Sequence, residues 1–230
     1  MQWSWIPENW TIIWQYTLDN ALLGLVPPLI GLIISIPLGI ACVARRWLYP
    51  PLLSLTSALY ALPSLALFVV LIDYTGLGNL TVIIPLTLFS LCVLLPNVVD
   101  GLRSVPEPVR QAATAMGFTQ LRRLIQVELP LAVPIIIAGL RIAVVSSISL
   151  ASLGQLIGVS SFGYFFIDGL QRDFATEIYV GLALTLLLAL VCDLILVGVR
   201  RLLTPWARGR RVTASVRTPL YPPPLVGLSR

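Results

Sequence analysis

Arg141 and Asp193 are the charges set inside the two C-terminal apolar runs, and they are the first residues with chemistry to offer. An Arg near the centre of a membrane helix costs ~2.5–3.5 kcal/mol on an insertion scale, so it pairs, snorkels or serves a function. Both lie in the inner half of their runs, and a structural Arg141–Asp193 pair is the expectation. A substrate role is the lesser alternative: Arg141 would repel a cation but accept the carboxylate of a zwitterion. Ser146, Ser147, Ser149 and Ser152 cluster in one run, but a Ser nucleophile needs an activating base. The chain has no His and no Lys, which leaves only a carboxylate such as Asp193 and argues against an intramembrane enzyme. A phosphate-binding loop of the Walker type needs Lys, so no nucleotide site is expected. Without His the commonest metal ligand is missing too, and no metal site is expected. Cys42, Cys92 and Cys192 stand far apart in apolar runs and read as small buried hydrophobes, neither a disulfide set nor ligands.

The elements that position these residues are membrane spans. The 230-residue chain is 57% hydrophobic and 11% charged, and its mean hydropathy is +0.93. That composition belongs to an integral membrane protein. About 20 apolar residues cross a bilayer, and five spans are expected, near 20–43, 52–72, 79–99, 131–153 and 178–199. Pro27, Pro28, Pro37, Pro63, Pro85, Pro96 and Pro134 fall inside them, freeing backbone groups that neighbouring helices or cavity water must satisfy. Residues 154–177, rich in Gly and Ser, read as a short outer helix or a re-entrant segment. The opening residues carry no basic group before the apolar stretch, unlike a cleavable signal peptide.

Orientation follows from the arginines, which make up all fifteen cations. With the N-terminus outside, Arg45 and Arg46, then Arg103, Arg110, Arg122 and Arg123, then the seven from Arg200 onward are all cytoplasmic. Arg172 alone falls outside. Glu8, Asp19, Asp73, Asp168, Asp173 and Glu177 lie on the outer side, so N-outside and C-inside is the expected topology. Residues 1–17 then form an outer interfacial stretch, with Trp3, Trp5, Trp10, Trp14 and Tyr16 as anchors. Residues 206–230, basic and Pro-rich, are expected to be disordered near anionic headgroups.

Residues 111–130 form a polar interruption between apolar runs. Ala112, Ala113, Ala115 and Met116 favour helix, and Gly117 would end it. Leu121, Leu124, Ile125 and Val127 continue at roughly helical spacing, and Pro130 stands at a helix-start position. Here the chain resembles the ABC-importer permeases. Their cytoplasmic signature reads Glu-Ala-Ala, three residues, Gly, nine residues, Ile, one residue, Leu-Pro. This sequence has Gln111-Ala112-Ala113, Gly117, Val127 and Leu129-Pro130 at matching intervals. Val127 for Ile is conservative, whereas Gln111 for Glu removes a charge. Weaker likenesses point to the osmoprotectant branch, which carries glycine betaine, choline and carnitine: Leu62-Pro63-Ser64-Leu65-Ala66-Leu67, Asp100-Gly101-Leu102 leading to Pro106, and Leu156-Ile157-Gly158 followed by Gly163, Gly169-Leu170 and Asp173. Ser160-Ser161 stands where that branch often has Gly-Gly.

The resemblance covers roughly residues 18–205 and implies an all-α membrane domain of the ABC type I importer fold in a bacterial or archaeal plasma membrane. It implies a second permease subunit, two ATPase subunits that carry the ATP and Mg, and an extracytoplasmic binding protein. Nucleic acid is not among the implied partners. The loop over 100–130 would couple the ATPase through Gln111, Ala112, Ala113, Gly117, Val127, Leu129 and Pro130. A methionine-type permease is the runner-up. A self-contained transporter or channel is disfavoured by five spans without an inverted repeat. Quaternary ammonium groups are bound by aromatic cages, which makes Tyr60, Phe68, Tyr74, Phe89, Phe162, Tyr164, Phe165 and Phe166 the residues to watch.

Overall fold

The computed structural model describes residues 4–205. Trp3 and the expected tail over 206–230 lie outside that range. The described residues are helical, with no strand among them. In chain order the helices are α1 (Trp5–Glu8), α2 (Trp10–Ala44), α3 (Tyr49–Tyr60), α4 (Ser64–Thr75), α5 (Asn79–Arg103), α6 (Glu107–Ala115), α7 (Gln120–Arg123), α8 (Leu129–Ala151), α9 (Gly163–Gln171) and α10 (Ala175–Leu203).

Among the described residues four helices are long and apolar enough to cross a membrane: α2, α5, the stretch Gln120–Ile157 that contains α8, and α10. The span expected at 52–72 is not a straight rod. It is two helical pieces, Arg46–Tyr60 and Ser64–Thr75, bent by 91° at the break. The cause is local. Pro63 has no N–H to continue α3 and restricts Leu62 before it. Its own backbone is extended (ψ 125°), and it starts α4 instead, its carbonyl accepting from Leu67 N.

α2 has 35 residues, about 52 Å at 1.5 Å per residue, well beyond the ~30 Å hydrocarbon core. It begins ten residues before the expected span. Pro27 lies within it without breaking it, and the carbonyl that Pro27 leaves free, Leu23 O, accepts a hydrogen bond from Ser147 Oγ of α8 at 3.4 Å. Asn20, fully buried, ties three elements together: its Nδ2 donates to Ile148 O and its Oδ1 accepts from Phe162 N.

α5 is the central helix, more than half buried, with α2 and α8 packed around it. Val98 and Leu102 meet Ala132 and Ile136 at one end. Leu94 meets Leu140, Val144 and Ile148 in the middle, and Val82, Leu86 and Phe89 meet Leu23, Phe68 and Ala151 at the other end. Small residues permit the close approach: a Cβ on Gly24 would lie 2.5 Å from Ile148 Cγ1, and one on Gly139 2.6 Å from Asn97 Cβ. α10 is the peripheral helix, with less than a fifth of its apolar window covered by this chain.

The segment between the last two spans folds into a 3-10 turn (Ser152–Ile157), a left-handed Gly158 and α9, with Phe162 and Phe165 fully buried. Trp5 meets Phe165 and Phe174 edge-on, and Tyr16 stacks on Tyr164 at 4.6 Å. Trp5 and Tyr16 therefore pack α1 and α2 onto α9, beyond the ordinary anchoring expected of them. Trp10 and Trp14 remain exposed, as interfacial anchors are.

Candidate functional site

The polar interruption is built as a helix, a tight turn and a re-entry. Pro106, extended, leads into α6, and Pro108 sits in its first turn, where the lost N–H has no partner to miss. α6 ends in a Schellman motif: Phe118 N donates to Ala113 O at 3.1 Å and Gly117 N to Thr114 O at 3.0 Å. That geometry puts Gly117 at φ +82°. Thr119 caps α7, its Oγ1 accepting from Arg122 N. Arg122 lies over the Phe118 ring, 4.7 Å from its centroid.

From α7 the chain runs through a π-turn (Leu124–Glu128) directly into α8, so Pro130 does not open a separate helix. The wider turn, closed by Leu129 N donating to Leu124 O, makes room for a ring that would otherwise press on the preceding turn. Val127, Leu129 and Pro130 are half-buried within this continuous helical stack.

The signature positions do not share one face. Gln111, Ala112 and Gly117 are exposed, whereas Ala113 is turned inward and buried. Sequence reasoning missed the exposed apolar surface around them. Met116, at the turn, is 69% exposed, and Leu121 and Ile125 are exposed on the second half. It also missed Glu128, which is 5% exposed. Arg123 Nε donates to its Oε1 at 2.8 Å, and Arg110 Nε lies 3.8 Å from the same oxygen. Arg123 Nη1 reaches Thr114 Oγ1 at 3.0 Å, and Arg110 Nη2 donates to Leu102 O near the end of α5 at 2.7 Å. The loop is thereby tied to itself and to the bundle. The sequence signal was a lone acid beside two arginines at the edge of an apolar run.

Glu128→Gln keeps the shape but leaves Arg123 without its counterion and Arg110 with Glu107 alone, 3.8 Å away. The expected result is cleavage by trypsin at Arg122 and Arg123 several-fold faster in detergent-solubilised protein, at unchanged yield. Cleavage at the wild-type rate would mean that the bridge does not hold the loop.

Within the bundle the structure brings Arg141 and Asp193 together. Arg141 Nε donates to Asp193 Oδ1 at 2.6 Å and Nη2 to Oδ2 at 2.8 Å, a bidentate fork joining α8 to α10. Of the aromatics, Phe68, Phe162 and Phe165 are fully buried packing residues and Tyr74 is exposed. Tyr60 and Phe89 meet edge-on at 5.9 Å beside the break between α3 and α4. Among the described residues no group of three or more His, Cys, Asp and Glu forms a metal site.

Residues 31–209 match the family described as binding-protein-dependent transport system inner membrane component. The chain is 34% identical over 207 residues to the osmoprotectant import permease protein OsmW of Salmonella typhimurium, covering 83% of this chain and 96% of that one. It is 32% identical over 203 residues to the glycine betaine/carnitine/choline transport system permease protein OpuCD of Bacillus subtilis, covering 88% and 89%. Among solved structures, the inward-facing MetNI methionine ABC transporter has a chain of like fold, with a TM-score of 0.74 at 21% identity over 89% of this chain and all of that one.

Proposed function

The chain belongs to the family of binding-protein-dependent transport system inner membrane components, and from that membership we propose that it admits osmoprotectants such as glycine betaine, choline or carnitine. It is a membrane-embedded permease subunit of an ABC importer and not itself an enzyme. The substrate reading is carried by the relatives above, one named for osmoprotectants and the other for glycine betaine, carnitine and choline. The likeness to a methionine transporter is one of fold and favours no amino-acid substrate.

In this reading two permease chains form the path. Two ATPase subunits, holding ATP and Mg, each grip one loop, and a binding protein delivers substrate on the other side. The loop contact consists of Gln111, Ala112, Gly117 and Met116, which are exposed on a turn held rigid by the Schellman motif and the Glu128 bridge. Ala113, Val127, Leu129 and Pro130 act from behind by shaping that surface. The permease domain spans 18–205, preceded by the interfacial stretch 1–17. The test is uptake of labelled glycine betaine, choline, carnitine and methionine by proteoliposomes carrying the assembled complex. Import of methionine alone would replace the substrate reading.

The same reading places the loop in the cytoplasm and the N-terminus outside. Single cysteines introduced as Asp73→Cys or Arg172→Cys should react with a membrane-impermeant maleimide in intact cells, and Arg122→Cys only after lysis. Labelling at 122 in intact cells would reverse the topology.

A further inference from the structure

We propose that the break between α3 and α4 is a transit site for the quaternary ammonium head of the substrate, formed by Tyr60 and Phe89. The proposal rests on the osmoprotectant reading and adds to it a place within the membrane path.

Phe89 lies ten residues into α5, about 15 Å from that helix's outer end, which is half of a ~30 Å hydrocarbon core. Ala61, Leu62 and Pro63, the non-helical residues beside it, are exposed on this chain. Non-helical backbone at that depth is tolerated only where protein buries it or where it lines a water-filled cavity. Discontinuous helices of this kind mark binding sites in membrane transporters.

The chemistry around the break is specific. A cavity of about 210 Å³ is lined by Tyr60, Leu62, Ser64, Phe89 and Leu150. A narrow cleft that shares Tyr60, Phe89 and Leu150 with it is also lined by Ser146 and Ser147. The two rings meet edge-on at 88°, with Tyr60 55% exposed and Phe89 packed behind it at 6%, so Tyr60 offers the open ring and Phe89 fixes its orientation at the cavity wall. α3 ends at Tyr60, so the partial negative charge of its C-terminal carbonyls is directed to the same place. No charged side chain lines the cavity.

That combination fits one ligand class. A quaternary ammonium is a permanent cation with no N–H to donate, so hydrogen-bond acceptors gain little from it while ring faces attract it. An unpaired carboxylate there would hold it too firmly, since a path must bind weakly enough to release. Ring faces, aided by the helix-end dipole, supply that intermediate hold.

The experiment uses the complete transporter in proteoliposomes, with glycine betaine as probe and the binding protein saturating. Fluorinated phenylalanines with increasing fluorine count replace Tyr60, and in a second series Phe89. They keep ring shape while draining the face of negative potential, and so separate cation binding from packing. The expected result is a stepwise fall in uptake per ATP hydrolysed, reaching about tenfold at full substitution. Tyr60→Phe should retain uptake and Tyr60→Leu should lose it. ATP hydrolysis stimulated by the loaded binding protein should hold steady throughout. Uptake that stays flat across both fluorine series overturns the site and leaves the osmoprotectant reading intact. A wild-type complex that imports methionine but no quaternary ammonium compound overturns both.

Discussion

Gly117→Asp should abolish uptake and substrate-stimulated ATP hydrolysis while leaving the permease inserted at its normal level. The backbone explains why the folded chain survives. Gly117 sits at φ +82°, in the left-handed region, and Asp is among the few side chains that enter that region readily. A Cβ there would meet nothing within 4 Å, so no neighbour in this chain is displaced. The damage must then come from outside the chain. In the proposed coupling role the turn enters a groove on the ATPase, where an added carboxylate meets overpacking of ~1–3 kcal/mol and burial without a counterion. Gly117→Asn, uncharged but of similar size and backbone tolerance, should lose less. Gly117→Val forces a β-branched residue into φ > 0 and should loosen the turn itself. Gln111→Ala should be mild, because its side chain is exposed and already lacks the family's charge. Uptake and ATPase rates of reconstituted complexes decide the matter. Normal transport by Gly117→Asp would show that this turn does not couple.

The large features of the fold were legible because the bilayer demands them. Four of the five expected spans correspond to single long helices, since an uncharged run of that length has few alternatives. Boundaries were less legible. α2 starts at Trp10 because Trp, Thr, Gln and Tyr belong at the interface and do not register as apolar, although the helix runs straight through them. The 91° break could not be read from Pro63 alone. Pro27 and Pro28 sit inside an unbroken helix of the same chain, where Ser147 accommodates one freed carbonyl. Such a rescue depends on a residue 124 positions away. The loop's spacing announced Gly117 and its turn, but spacing could not tell which of two adjacent alanines faces outward. That is set by the bridge from Arg123 to Glu128 and the bond from Arg110 to Leu102 O. Tyr60 and Phe89 were two of eight candidate aromatics, and nothing in the sequence singled them out, because only the break brings these two rings together.

Arg141→Ala and Asp193→Ala should each sharply lower the amount of folded permease, with partial recovery in the double variant. The two charges stand out in the sequence because no other charged residue interrupts their runs, and the structure joins them by a bidentate fork at 2.6 and 2.8 Å. Their side chains are 31% and 26% exposed in the isolated chain, beside a cavity whose lining also includes Ala138, Ile142, Val145 and Ser146. In a membrane that exposure faces lipid, a second subunit or a wet path, so the pair is not weakened as a surface salt bridge is in bulk water. Removing one partner leaves the other charge uncompensated in a medium of low dielectric, whereas removing both leaves an apolar contact between α8 and α10. Non-additivity follows, and coupling of ~0.5–3 kcal/mol is the range found for residues in direct contact. Arg141→Lys should rescue only in part, since a single ammonium cannot reproduce two parallel N–H···O bonds. The measurement is the monodisperse fraction of each variant in detergent, together with its thermal midpoint. α10 is otherwise sparsely packed on this chain, which makes the fork a main tether of the last span. Strictly additive losses would show that α10 is held by its apolar contacts with α8 and α9 alone.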